Sequence, residues 1–181
     1  MSELAALVTY SPPVELRALA DTEPEQWLAR FRAWVDEPFF EAQAFLRDVR
    51  ARGVPGRWVA VTASVGTQPF PGAGVDGTFA TALHTLVKVA ALENGPFGIT
   101  CNAVAVGWRE GELPEALEDT PTGRFARDDD VRGAVEWLLS DAASHVNGEV
   151  IRVDGGYTIT RSSRLAPNDE IAGWLVEDEW R

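Results

Sequence analysis

The apolar residues of the chain fall into short continuous runs, separated by longer segments in which they recur every three or four positions. Four such runs, at residues 4–10, 57–64, 98–108 and 148–156, contain valine and are bounded by proline or glycine. Short apolar runs of this kind favour strands that are buried on both faces of a sheet. Four strands are therefore predicted, the first of them buried.

The segment between the first two runs has the periodicity of an amphipathic helix. Its apolar positions recur at spacings of three and four over residues 22–53. Thr22, followed three positions later by Glu25, predicts a capping box at the start of this helix. Pro38 predicts a bend within it, because proline removes a backbone hydrogen bond.

Residues 78–95 and 128–140 show the same helical periodicity. Gly95 predicts the end of the first helix, and an aspartate predicts the N-cap of the second. Strands that alternate with helices indicate right-handed βαβ units. The expected fold class is therefore α/β, a partial Rossmann-like three-layer fold with a mainly parallel sheet of about four strands.

The chain has 181 residues, of which 45% are apolar, enough for one ordinary domain. We place this domain at residues 1–160. Residues 161–181 differ in character, because Ile171, Trp174 and Leu175 form an apolar stripe on an otherwise acidic segment. This pattern predicts a C-terminal acidic docking tail.

The charge balance is strongly acidic, with 28 carboxylates against 16 lysines and arginines. Such a surplus repels nucleic-acid phosphates and anionic lipid headgroups, so neither nucleic acid nor a membrane is predicted as a partner. The sequence has no basic leader and no apolar run of about 18 residues. We expect a cytoplasmic protein.

The cysteine and the histidines predict no metal site. Cys101 is the single cysteine and lies within an apolar run, which indicates a buried core thiol and not a nucleophile. His84 and His145 have no cysteine or carboxylate at the spacing of metal ligands.

Glycines at positions 72, 74 and 77 match the G-x-G-x-x-G pattern of dinucleotide-binding turns. In such a turn the first glycine ends a strand, and an acidic residue closes the next strand about twenty positions later. Here seven residues separate Ser64, at the end of the predicted strand, from Gly72. The acid nearest to the expected spacing, Glu93, lies within the predicted helix and not at the end of a strand. The sequence therefore predicts no cofactor-binding residues in this motif.

Three segments carry a family resemblance: FFEAQAFL at residues 39–46, ALHTLVKVAALENGPFGITCNAVAVG at residues 82–107, and VEWLLSDAASHVNGEVIRVDGGYT at residues 135–158. They resemble the short-chain dehydrogenase/reductase family, which includes ketoacyl-carrier-protein reductases. The resemblance covers residues 4–158, and it aligns the first strand of this chain with the fourth strand of the family. It therefore implies a sheet that lacks the N-terminal cofactor-binding strands, and no cofactor is expected.

The resemblance also assigns the family's catalytic positions. The asparagine that orders a water relay falls on Trp34, and the serine that bonds the substrate carbonyl falls on Ser64. The tyrosine acid falls on Asp76, and the lysine that lowers its pKa falls on Ala80. An ionised aspartate lacks the proton that a reductase must donate, and alanine supplies no charge, so only the serine is retained.

These replacements predict a non-catalytic structural or regulatory subunit, and hence a protein that is not an enzyme. The resemblance implies that it forms a homodimer, or a hetero-oligomer with a full-length member of the family, through the helices at residues 24–52 and 77–94. In the family these two helices form the main dimer interface.

Alternative hypotheses remain open. Asp76 and Ser64 could act as acid/base and hydrogen-bond donor in a redox-independent dehydratase, isomerase or cyclase. Asp76 could instead cap the following helix, and Ser64 could be a loop hydroxyl that makes local bonds. A third hypothesis is a reductase whose remaining half is encoded elsewhere.

Overall fold

A parallel sheet of four strands forms the centre of the protein. The computed structural model describes residues 4–114 and 116–161. Its strands are β1 (Ala5–Tyr10), β2 (Gly56–Ala63), β3 (Ile99–Val106) and β4 (Val150–Val153), and their spatial order is the order of the chain. All three neighbouring pairs are parallel. The predicted α/β fold with about four parallel strands is confirmed.

Helices cover both faces of this sheet. They are α1 (Pro24–Phe31), α2 (Glu37–Arg52), α3 (Gly74–Asn94), α4 (Ala116–Asp119), α5 (Asp128–Leu139) and α6 (Tyr157–Arg161). Helices α2 and α3 pack on one face, and α5 packs on the other. This is the three-layer arrangement that βαβ units produce.

The two faces of β2 show why its sequence is apolar throughout. Trp58 and Ala60 pack against α2 and α3, whereas Val59 and Val61 pack against α5. Because successive side chains of a strand point to opposite faces, a strand covered on both sides has no solvent-facing positions. Cys101 of β3 is fully buried, and burial raises its pKa to about 12, which confirms the predicted core thiol.

The start of the first helix differs from the prediction. Glu23 and not Thr22 is its N-cap, and the Glu23 backbone N–H donates to Gln26 Oε1 at 3.1 Å. Pro24 is the first helical residue, a position where its missing N–H removes no helical hydrogen bond. The preference of proline for this position shifts the start by one residue.

The helix is interrupted by a segment of wider turn and not by a bend at Pro38. Residues Arg32–Asp36 form a π-helical turn between α1 and α2. Pro38 lies in the first turn of α2, where the loss of one backbone donor is tolerated. Trp34 lies within this π-helical turn.

The N-cap of α5 is also not the aspartate that the sequence predicted. Arg127 is the N-cap, and its backbone N–H donates to Asp130 Oδ2 at 2.9 Å. The aspartate therefore acts from inside the first turn, where negative charge also interacts favourably with the helix dipole.

Among the described residues, β1 is an edge strand of the sheet. Its last residue, Tyr10, is 64% exposed. No helix within residues 4–114 and 116–161 is long and apolar enough to cross a membrane. A cytoplasmic location stays a prediction, and the proposed docking tail lies outside the described residues apart from Arg161, the last residue of α6.

Candidate functional site

The carboxyl ends of β1, β2 and β3 open into a cleft of about 220 Å³. Its walls are Tyr10 at the end of β1 and residues 11–14 after it, residues 61–63 at the end of β2, and Val106 at the end of β3 with Gly107, Arg109 and Glu112 after it. Ligands of parallel α/β sheets bind outside the carboxyl ends of the strands, because the connecting loops meet there. This cleft is therefore the candidate site.

The cleft offers a small number of polar groups. The Ser11 hydroxyl is buried and has no hydrogen-bond partner among the described residues. The Arg109 guanidinium is 3.5 Å from Asp128, a loose ion pair, and the Arg109 backbone N–H donates to Glu112 Oε2 at 2.8 Å. A buried hydroxyl without a partner is costly, so Ser11 is suited to bond a ligand.

Asp76 is held in a buried ion pair. It is the third residue of α3, and its side chain is 1% exposed. Arg30 donates to both carboxylate oxygens, from Nε to Oδ1 at 2.8 Å and from Nη2 to Oδ2 at 2.5 Å, and the Glu15 backbone N–H donates to Oδ2 at 2.8 Å. The N-cap of α3 is Ala73, so the expectation that Asp76 caps this helix is wrong.

Ser64 and Asp76 do not face a common cavity in this cleft. Ser64 is buried in a short turn that follows β2, and neither residue lines the cleft. The Ser64 carbonyl accepts hydrogen bonds from the backbone N–H and the hydroxyl of Thr67, both at 2.8 Å. The arrangement that a shared acid/base site would need is therefore not present there.

Trp34 and Ala80 lie together in an apolar cluster. Both are fully buried, and they share this cluster with Val35, Val75 and Phe79. The Trp34 indole N–H is buried and has no partner among the described residues. Because no cation stands at position 80, these residues do not fit a nicotinamide ribose held in the way that the resemblance implies.

The G-x-G-x-x-G glycines form a turn and the start of a helix. Gly72 has φ 82° and lies in the loop before α3, whereas Gly74 and Gly77 are within α3. A side chain at Gly74 would collide with Leu19, and one at Gly77 would approach the Val65 carbonyl. Close packing against backbone thus accounts for Gly77, whereas the Leu19 side chain beside Gly74 is itself 66% exposed and can move aside.

Sequence reasoning missed two polar contacts close to the cleft. Thr62, which lines it, hydrogen-bonds His84 Nε2 through its hydroxyl at 2.7 Å. Burial, and then the positive charge of Lys88, lower the pKa of His84 to about 4, so its imidazole is neutral near neutral pH. The other contact is the Arg30–Asp76 pair. No local sequence pattern predicts either contact.

Comparison with known proteins gives the family. The family model described as enoyl-(acyl carrier protein) reductase matches residues 4–158. Cyclopentanol dehydrogenase of Comamonas sp. is 31% identical over 166 residues, which are 86% of this chain and 66% of the relative. Carbonyl reductase (NADPH) 2 of Sus scrofa is 30% identical over 162 residues, covering 83% and 66%.

Solved structures agree with these relatives. A crystal structure of acetoin dehydrogenase from Salmonella typhimurium has a TM-score of 0.80 and 30% identity, over 86% of this chain and 65% of that one. The chain thus has the Rossmann-like α/β fold of these relatives. The chain belongs to the short-chain dehydrogenase/reductase family, and it spans about two thirds of the length of these relatives.

This result corrects the functional prediction. The expectation of a non-catalytic subunit, and so of no enzyme, is wrong, because the relatives are named dehydrogenases and reductases. The alternative of a redox-independent dehydratase, isomerase or cyclase is not favoured either, for the same reason. The prediction rested on the replacements at Trp34, Asp76 and Ala80 and on the missing cofactor-binding strands, whereas relatives named as enzymes match 86% of the chain.

Proposed function

We propose that the protein is an oxidoreductase that interconverts the hydroxyl and carbonyl forms of a small molecule. The observation that carries this proposal is the cleft at the carboxyl edge of the sheet, with the buried, unpartnered Ser11 hydroxyl in its wall. Family membership supports the same reaction class, since one relative is named for cyclopentanol and another for acetoin.

The residues of this chain would bind the substrate and handle its proton. In relatives such as carbonyl reductase (NADPH) 2 a nicotinamide cofactor supplies the hydride. Trp34 and Ala80 do not offer the contacts by which the resemblance implies that its ribose is held, so the proposal requires other residues to hold it. Ser11 would hydrogen-bond the oxygen of the reacting carbon. Tyr10, which also lines the cleft, is the candidate for exchanging the proton of that oxygen.

Ser64 remains a second candidate for the hydrogen bond to substrate. It directly follows β2, whose last residues line the cleft, and it stands at the position of the family's serine. Ser11→Ala and Ser64→Ala separate the two possibilities, because only the serine that contacts substrate should lower turnover strongly.

The test is a turnover assay with purified protein. Cyclopentanol and acetoin are offered with NAD⁺ or NADP⁺, and cyclopentanone and butane-2,3-dione with NADH or NADPH, while nicotinamide absorbance is followed. We expect turnover that requires both the substrate and the nicotinamide cofactor. Loss of the contacting serine should lower kcat/KM roughly tenfold or more, the effect of one hydrogen bond to a reacting oxygen.

Ser140→Ala is the matched control, because Ser140 lies at the end of α5, does not line the cleft, and donates its hydroxyl to the nearby Trp137 carbonyl at 2.7 Å. Tyr10→Phe should lower kcat by about 10² or more if the phenol exchanges the proton. A folded protein that turns over none of these substrates with either cofactor would remove the proposal.

We also propose that two copies associate through the face formed by α2 and α3. Phe40, Val89 and Leu92 expose large apolar side chains on these helices, and a groove of about 310 Å³ lies between them. Light scattering should give the mass of a dimer, and Leu92→Glu should give that of a monomer. A hetero-oligomer with a full-length relative would appear instead as a monomer that gains mass only when that relative is added.

A further inference from the structure

Three parts of the chain meet at the guanidinium of Arg30. Arg30 lies in α1 and donates to Asp76 in α3 through Nε and Nη2. It also donates to the Pro13 carbonyl from Nη2 at 2.7 Å and to Glu15 Oε1 from Nη1 at 2.8 Å. All its nitrogen atoms are thus engaged, and they connect α1 and α3 with the segment that follows β1.

The pair at the centre of this cluster is shielded from water. The Arg30 side chain is 15% exposed and that of Asp76 is 1% exposed. Taking an ion pair out of water carries a desolvation cost that its own attraction hardly exceeds. A buried pair is therefore best explained by the geometry that it fixes, and a guanidinium fixes geometry because its donors form a rigid planar fork.

What this pair fixes is one wall of the cleft. Pro13 and Val14 line the cleft, and residues 11–18 form neither helix nor strand. The Pro13 carbonyl is bonded to Arg30, and the Glu15 backbone N–H is bonded to Asp76. The ion pair thus holds the backbone on both sides of Val14.

Further contacts hold the ends of this segment. The Ser11 backbone N–H donates to the Val61 carbonyl at 2.9 Å, and the Arg17 backbone N–H donates to the Gly72 carbonyl at 2.7 Å. Val14 itself packs against two apolar clusters. Between the two anchored ends, the Arg30–Asp76 pair supplies the polar contacts to the backbone.

We propose that Arg30 and Asp76 are positioning residues that hold residues 13–15 as a wall of the cleft and thereby set its affinity for substrate. Neither side chain lines the cleft, so neither acts on the reacting atoms. This inference rests on the proposed function for its substrate. Under this inference Asp76 is structural, although it stands at the position of the family's catalytic tyrosine.

Two variants test the proposal. Arg30→Lys keeps the charge but loses the planar fork, and Asp76→Asn keeps the shape but turns an amide NH₂ toward the donors of Arg30. In both we expect KM for acetoin to rise about tenfold while kcat stays within about twofold, since the lost interaction affects binding and not the chemical step. Circular dichroism confirms that the variants are folded.

The Glu15 backbone N–H gives a readout that does not depend on activity. Its hydrogen exchange should become about tenfold faster in both variants, because its acceptor is no longer held in place. Arg124→Lys is the matched control, since Arg124 makes a bidentate pair with Asp130 at 2.6 and 2.7 Å that is away from the cleft. That variant should change neither the exchange of Glu15 nor KM.

The outcomes separate this inference from the proposed function. If the native protein shows no turnover, the function fails, and the affinity for acetoin measured by NMR titration then decides the inference. An unchanged KM or affinity in both variants would overturn it, as would unchanged exchange at Glu15. A fall in kcat with constant KM would also overturn it, because Asp76 would then take part in the chemistry.

Discussion

The cleft at the carboxyl edge and the groove between α2 and α3 are built in different ways. The ends of three strands and the loop residues that follow β1 and β3 form the cleft, and polar contacts between distant residues hold it. Regularly spaced side chains of two helices form most of the groove, including Phe39, Leu46, Leu86 and Val89. A periodic pattern therefore suffices to build the groove, whereas the cleft depends on particular residue pairs.

The largest expected effect follows from breaking the buried ion pair. Arg30→Met leaves the Asp76 carboxylate buried without its charged partner, which should destabilise the protein by about 3–5 kcal/mol. Urea denaturation of both proteins measures this difference. The double variant Arg30→Met/Asp76→Leu should recover much of the loss, because it removes both charges.

A loss below about 1 kcal/mol in Arg30→Met would show that water reaches Asp76 and that the pair is not a buried one. The cleft would then be held by apolar packing, like the groove, and the contrast between the two regions would disappear.

The second effect is a pH dependence of the free energy of unfolding, which comes from His84 beneath the cleft residue Thr62. The pKa of His84 is about 4 in the folded protein and 6.5 ordinarily. Between these values the unfolded chain binds a proton that the folded chain does not, so stability falls as pH falls. From about pH 7 to about pH 5 the loss from this group should be about 2 kcal/mol.

His84→Gln should reduce this slope, and His145→Gln, which changes an exposed histidine, should leave it unchanged. Free energies of unfolding at the two pH values measure it. Equal slopes in the His84 variant and the native protein would show that the buried imidazole takes up its proton without unfolding.

The Arg30–Asp76 pair and the Thr62–His84 hydrogen bond could not be predicted from the sequence. The four strands and the helices of the sheet were predictable because hydrophobic periodicity is a local signal, and the positions of β1 to β4 agree with it within one or two residues in most cases. The Arg30–Asp76 contact joins residues 46 positions apart. A single sequence holds no signal for such a contact, since each residue alone fits an ordinary helix.

The same limit explains the error about function. Asp76 and Ala80 were compared with the family one position at a time, and each comparison suggested a missing group. In the structure Arg30 of α1 pairs with Asp76, and Ala80 packs among apolar side chains. Substitutions that depend on each other cannot be interpreted singly.

A third, intermediate effect is expected where β2 meets α3. A methyl group added at Gly66 would lie 2.6 Å from the Ala80 Cβ and 2.8 Å from the His84 Cε1. Gly66→Ala should therefore destabilise the protein by about 1–3 kcal/mol through overpacking. Gly133→Ala in α5 is the control, because a Cβ there meets nothing within 4 Å. Equal thermal stability of the two variants would mean that the turn after β2 shifts freely.

The smallest effect on folding belongs to the rim of the groove. Leu92 is 80% exposed, so Leu92→Ser removes little buried surface and should change the free energy of unfolding of the monomer by less than about 0.5 kcal/mol. The same change should weaken the proposed association, because the exposed leucine would be buried between two copies. Denaturation at a protein concentration low enough to populate monomer measures the first effect, and sedimentation at high concentration measures the second. If neither the free energy of unfolding nor the strength of association changes, Leu92 takes no part in the contact between two copies.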